Sequence, residues 1–185
     1  MKGYIHRKLT KDKKIITGYH AQDYRVDDEL SLPIESNPKN AWLGVGFYFW
    51  VEEEFAHYWG QDFKKESTGY YDIYKGDIEE ENLLNASFSE LGYFTFRNSI
   101  EYVLEHFRMK GMKLDLVKVN RFLADHIWSR LGVDGIIYDD LPNNPPGKER
   151  TYSEIPPLYY KKRIQIVVFN VKIIRKFALY KSELC

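Results

Sequence analysis

The run Leu43-Gly44-Val45-Gly46-Phe47-Tyr48-Phe49-Trp50 constrains the fold of this chain more tightly than any other stretch. A Gly-x-Gly turn delivers the backbone into a short aromatic strand over Gly46 to Trp50. Successive side chains of a strand point to opposite faces, so Tyr48 and Phe49 part company and one of the two belongs to the core. Glu52-Glu53-Glu54 follow at once, and acid in a first turn complements the helix dipole, which predicts a helix ending near Gly60. On that helix Phe55, Ala56 and Trp59 share a face by their three- and four-residue spacing. Trp59 lies eleven residues after Tyr48, so the turn, strand and helix together can set two rings on either side of a flat ligand.

With 185 residues and 44% hydrophobic composition the chain can bury one sizeable core, and a single domain over 1–185 is expected. Lys+Arg and Asp+Glu both number 27, which leaves no global charge to attract nucleic acid nonspecifically. The first fifteen residues carry six Lys or Arg and lack the apolar stretch of a secretory signal, and no later run approaches membrane-spanning length. A cytoplasmic chain with no membrane partner is the expectation. Cys185, the one cysteine, excludes an internal disulfide and a cysteine-based zinc cluster, and its terminal place makes it a poor nucleophile.

Strands are predicted from Lys13 to His20, from Gly69 to Ile78, at Ile136 to Tyr138 and, most strongly, from Arg163 to Asn170, with a last apolar segment from Val171 to Tyr180. Helices are predicted over Ala21 to Leu30, over Asn98 to Lys110 with Gly111 as its stop, and over Val119 to Arg130. Pro33, Asn37-Pro38 and Asn40 mark Ser31 to Asn40 as a loop. The proline-rich span Asp139 to Pro157 reads as a second, longer one, and its Asp139-Asp140 as a turn rather than a metal site. Strands and helices interleave without a βαβ rhythm or a Gly-x-Gly-x-x-Gly, so the class is α+β rather than a doubly wound dinucleotide fold.

Taken in order, Tyr19-His20, Gly44-Val45-Gly46-Phe47-Tyr48-Phe49, Ala56 with Trp59, and Ile164-Gln165-Ile166 resemble the ADP-ribosyltransferase superfamily in its diphtheria-toxin/PARP-like branch. That branch carries a His-Tyr-Glu triad, and its second motif commonly reads Gly-x-Gly-Ile-Tyr-Phe with another tyrosine eleven residues on. The resemblance covers residues 13–78 and 134–170 and implies a split β-sheet core with flanking helices. It also implies NAD as co-substrate and no metal. His20 would hydrogen-bond an NAD ribose, the backbone at Ala21 would hold the nicotinamide carboxamide, and Tyr48 and Trp59 would sandwich the ring, with Tyr19 and Gly46 completing the NAD contacts. An aromatic face on so cationic a ring contributes on the order of 0.5–2 kcal/mol.

Two positions depart from the family pattern. Ala21 stands where glycine is usual, and Gln165 where the triad glutamate is usual. Breaking the nicotinamide–ribose bond develops oxocarbenium-like charge, which a carboxylate stabilises and an amide does not. Losing one such group costs about 2.7–4 kcal/mol in the barrier. Glu154 and Glu149, in the loop before the strand, are the candidate replacements, with Glu154 favoured because Ile155-Pro156-Pro157 stiffen its approach. The catalytic set is therefore His20, Tyr48, Gln165 and Glu154. Lys161-Lys162-Arg163 is a solvated strand end or a receiver for phosphate.

The resemblance implies a mono-ADP-ribosyltransferase, since a non-acidic third residue goes with single transfer. A compact transferase of this kind also looks like the toxin of a toxin–antitoxin or phage-defence system, with a possible antitoxin partner. Its acceptor would be RNA or DNA before protein, from the aromatic and basic residues near the site. An NAD glycohydrolase and a catalytically degenerate NAD or ADP-ribose-binding module are the alternatives. An RNA 2′-phosphotransferase would need clustered Arg and His, which the chain lacks.

Overall fold

The computed structural model describes residues 14–25, 28–64, 69–140 and 163–184. Seven strands form one sheet: β1 (Ile15–Asp23), β2 (Phe47–Trp50), β3 (Tyr70–Glu79), β4 (Leu83–Asn85), β5 (Gly135–Asp140), β6 (Arg163–Val168) and β7 (Ile174–Leu184). Across the sheet they run β4-β5-β6-β2-β1-β3-β7, with β4 parallel to β5 and every other pairing antiparallel. Helices α1 (Glu53–Phe63), α2 (Glu90–Met109) and α3 (Leu116–Leu123) complete an α+β architecture.

The aromatic strand β2 lies inside the sheet. Its register sets Tyr48 beside Val167 and Trp50 beside Gln165 on one face, and Phe49 beside Ile166 on the other. Phe49 is fully buried with Ile137, Ile166 and Val168, so it is the core member of the Tyr48-Phe49 pair. Gly46 precedes the strand because the backbone passes close to β6: a Cβ there would meet the Val168 carbonyl oxygen at 2.5 Å. Above the Tyr48 face, Val103 and Phe107 of α2 and Val119 and Leu123 of α3 pack on Ile136 and Val167. Further along, Phe55 and Ala56 of α1 pack on Ala21, Trp50 and Ile73. Glu53 ties the start of α1 to β7 by accepting from Lys181 Nζ at 2.5 Å and from the Tyr180 hydroxyl at 3.2 Å.

β1 and β2 meet at a single residue pair, Tyr19 with Trp50. β1 meanwhile pairs with β3 along its whole length, from Ile15 with Glu79 to Asp23 with Tyr71. The sheet is therefore close to parting between β1 and β2, and the gap begins where His20 would otherwise lie opposite Phe49.

Most predicted elements are present, several with shifted ends. β1 runs to Asp23 rather than stopping at His20, and the helix expected over Ala21 to Leu30 does not form among its described residues. Pairing with β3 holds the segment extended instead, since Ala21, Gln22 and Asp23 go on to pair with Ile73, Asp72 and Tyr71. Asp139 and Asp140 are no turn either; they extend β5 and pair with Ile164 and Arg163. α2 begins at Glu90, well before Asn98, because Ser89 caps it by accepting from the Gly92 N–H at 3.1 Å. Gly111, with φ of 61°, takes the left-handed conformation just past its end, as a helix stop requires. α3 passes through a π-helical turn, Ala124–Trp128, that seats Trp128 in the core against Phe96. The edge strand β4 had no signal in the sequence.

Candidate functional site

The gap between β1 and β2 opens into a cleft of about 620 Å³, bounded by β1, the Trp42 loop, β2, β6 and the outer side of α1. Sites for small molecules commonly have about 300–1,000 Å³. His20, Ala21, Tyr48, Trp59 and Gln165 all line it. These five come from four separate elements, so only the tertiary fold brings them together.

His20 forms the head of the gap. It is 7% exposed, and its Nδ1–H donates to the Tyr48 carbonyl at 2.8 Å. The imidazole thus takes the place that a backbone ladder bond between β1 and β2 would have had. Its ring packs near Phe49 and Phe177, with centroids 5.6 and 6.2 Å away. Burial, helped by the charge of Lys64 and opposed by the bond to Tyr48, lowers its pKa from 6.5 to about 4. At neutral pH the ring is uncharged. A carbonyl can only accept, so the proton sits on Nδ1 and Nε2 carries a lone pair. Nε2 is buried with no hydrogen-bond partner. A buried acceptor without a donor costs about 1–3 kcal/mol, a debt that a ligand hydroxyl would remove.

Tyr48 presents its ring to the cleft while its hydroxyl holds the preceding loop. The hydroxyl accepts from the Leu43 N–H and donates to the Gly44 carbonyl, both at 2.9 Å. Burial pushes the phenol pKa well above its usual value despite the donor at Leu43. The hydroxyl stays protonated and structural, and the ring is the part that a ligand can touch.

Trp59 is 38% exposed and stands at the cleft rim, its ring 4.2 Å from that of Phe63 and 6.3 Å from that of Trp50. Phe55 and Ala56 from the same helix are buried, so Trp59 turns outward from the face expected to bury all three. Gln165 is 6% exposed, and its Oε1 accepts from the Trp42 indole N–H at 3.0 Å.

Two of the expected NAD contacts lie elsewhere. Tyr19 faces Tyr180 at 5.7 Å with Lys75 Nζ 6.0 Å above its ring, and Gly46 is packed on Val167 and Val168; neither lines the cleft. Glu149, Glu154, Lys161, Lys162 and Cys185 fall outside the described residues. Arg163 does line the cleft, with its guanidinium 5.3 Å from the Trp50 ring.

Several lining residues were not singled out from the sequence. Lys64 donates from Nζ to Gln22 Oε1 at 2.8 Å, which places a cation at the mouth, and Asp62 and Glu35 add carboxylates. Asp62 and Phe63 lie three and four residues after Trp59, so helical spacing from Trp59 pointed to them. Trp42, a large ring in a polar, turn-rich stretch, was a visible anomaly. Glu35 carried no such signal. Among the described residues no group of three or more His, Cys, Asp or Glu side chains is placed to hold a metal ion, and no helix is long and apolar enough to cross a membrane. No protein-family model, curated protein or solved structure matches the chain.

Proposed function

We propose that the chain is an NAD-dependent mono-ADP-ribosyltransferase, acting in the cytoplasm on a macromolecular acceptor, nucleic acid before protein, as a toxin kept in check by an antitoxin. What carries the reading is the convergence of His20, Ala21, Tyr48, Trp59 and Gln165 on one cleft, in the order and spacing that resemble the family's motifs. The unpartnered Nε2 of His20 supports it independently, because an uncharged acceptor at the head of the cleft suits a ribose hydroxyl. In this reading the rings of Tyr48 and Trp59 flank the nicotinamide, Lys64 and Arg163 face the pyrophosphate, and Gln165 stands by the sugar that reacts. The bond from ribose to nicotinamide breaks with its electron pair leaving on nicotinamide. An acceptor oxygen or nitrogen then bonds to the sugar and gives up its proton.

The second reading, a binding module that holds NAD or ADP-ribose without cleaving it, is favoured by one observation: the residue at the triad's third place is a neutral amide held by Trp42. An NAD glycohydrolase differs only in using water as the acceptor.

Label from NAD should appear on macromolecules in cell extract with the natural protein and should fall, at NAD below saturation, with Trp59→Ala and His20→Gln. Trp59→Ala is the cleaner variant, because Tyr48→Ala would also release the Leu43–Gly44 loop. Nuclease and protease digestion then identify the acceptor class. Nicotinamide release without label means a glycohydrolase, and NAD binding without release means the module. Label that both substitutions leave undiminished refutes the site.

A further inference from the structure

We infer that Trp42 is a positioning residue that fixes the Gln165 amide so that its oxygen faces the indole and its N–H2 faces the cleft. The inference rests on the reading of this cleft as an NAD site for its functional consequence, and on geometry alone for the orientation.

An indole nitrogen has one N–H and no lone pair to offer, so the group that it bonds must be an acceptor. The atom 3.0 Å from Trp42 Nε1 is therefore the oxygen of Gln165 and not its nitrogen, and the two ends of the amide cannot be exchanged. Gln165 sits on β6 between Trp50 and Tyr138, which fixes the direction from which its side chain leaves the sheet. With the oxygen committed to Trp42, Nε2 points away from the indole and has no protein partner among the described residues. Gln165 lines the cleft, so the side of the amide turned away from Trp42 is the side toward that space.

Trp42 is itself held. Asn120 of α3 donates from Nδ2 to the carbonyls of Ala41 at 2.8 Å and Trp42 at 3.3 Å. The Tyr48 hydroxyl grips the next two residues, and the indole rests edge-on against Tyr138 with centroids 5.6 Å apart. Trp42 also forms part of the wall of a second, apolar cavity of about 330 Å³ beside α2 and α3. With its backbone anchored by Asn120 and its ring resting on Tyr138, the indole keeps one direction for its N–H, and through it one direction for the amide.

The cleft therefore offers an acceptor at one point, His20 Nε2, and a donor at another, Gln165 Nε2. Its ligand should carry a hydroxyl for the first and an oxygen lone pair for the second. A triad carboxylate at Gln165 would only accept. An N–H2 dipole turned toward a sugar that is gaining positive charge holds the ground state and opposes that charge. Gln165 thus contributes to binding, and the countercharge must come from elsewhere.

Trp42→Phe keeps an aromatic ring beside Tyr138 and removes the N–H, along with part of the indole's bulk, which the double-mutant cycle below separates from the hydrogen bond. In 15N-labelled protein the Gln165 side-chain amide should be rigid in the natural chain and should lose order in Trp42→Phe, because a terminal amide torsion is soft once its partner is gone. Equal order in both proteins overturns the positioning role, whether or not NAD binds. A double-mutant cycle on NAD affinity reads the consequence. Trp42→Phe should weaken NAD by roughly five- to tenfold in the natural chain and by less than about twofold in a Gln165→Ala background. Equal losses in both backgrounds mean that Trp42 acts through packing alone, and overturn the proposal. If the natural chain fails to bind NAD while the amide loses order in Trp42→Phe, the NAD reading fails and the positioning role stands.

Discussion

Replacing Tyr48 with phenylalanine removes one oxygen and tests what that oxygen is for. In the structure it closes two hydrogen bonds, from the Leu43 N–H and to the Gly44 carbonyl, each 2.9 Å long. Leu43 is 5% exposed and Gly44 is also buried, so water does not readily replace the lost partner at either end. A buried polar group left unpaired costs about 1–3 kcal/mol, and some relaxation of the loop offsets part of this, so the sum is roughly 2–3 kcal/mol. For a domain of this size each kcal/mol moves the melting temperature by about 2–4 °C, which gives a fall of about 4–12 °C. Thermal melts by circular dichroism and urea titrations read both numbers. The ring is retained, so NAD affinity measured well below the melt should change by less than about threefold. Tyr48→Phe within about 0.5 kcal/mol of the natural protein would refute the argument that the hydroxyl holds the loop.

His20 predicts an acid-side loss of stability. Its folded pKa lies near 4 against an ordinary 6.5, so its contribution is complete above pH 6.5 and disappears as the pH falls through 4. The size is on the order of 3 kcal/mol, and urea titrations between pH 7 and 4 should show a flatter profile in His20→Gln. Trp59→Ala, at a half-exposed rim position, should cost less than about 1 kcal/mol of stability yet weaken NAD binding by roughly 3- to 30-fold, measured by calorimetry. Gly46→Ala places a Cβ 2.5 Å from the Val168 carbonyl oxygen and 2.9 Å from Val167 Cγ2, which should lower the urea midpoint by an amount worth about 1–3 kcal/mol. An unchanged midpoint would mean that β2 can move off β6 without strain.

What the sequence determined by itself is the local grammar. The Gly-x-Gly turn, the aromatic alternation of β2, the acidic start of α1, the glycine past α2 and the apolar run of β6 each depend on a few neighbouring residues, and each has its predicted element. The split in roles between Tyr48 and Phe49 follows from strand period alone, and the structure adds only which of them is core. Local signals failed where the partner was distant. Ala21 to Asp23 read in isolation as the start of a polar helix, but pairing with β3 keeps them extended. Asp139 and Asp140 look like a turn until β6 provides the ladder.

Only the tertiary structure decided how the site is wired. That His20 bonds the Tyr48 carbonyl, that the Tyr48 hydroxyl faces its own loop, and that Gln165 Oε1 meets the Trp42 indole are contacts between residues 28, 4 and 123 positions apart. A hydrogen bond has a direction and a donor end. Neither is encoded in spacing along the chain, because both depend on where the sheet parts between β1 and β2, and that is settled by every strand at once.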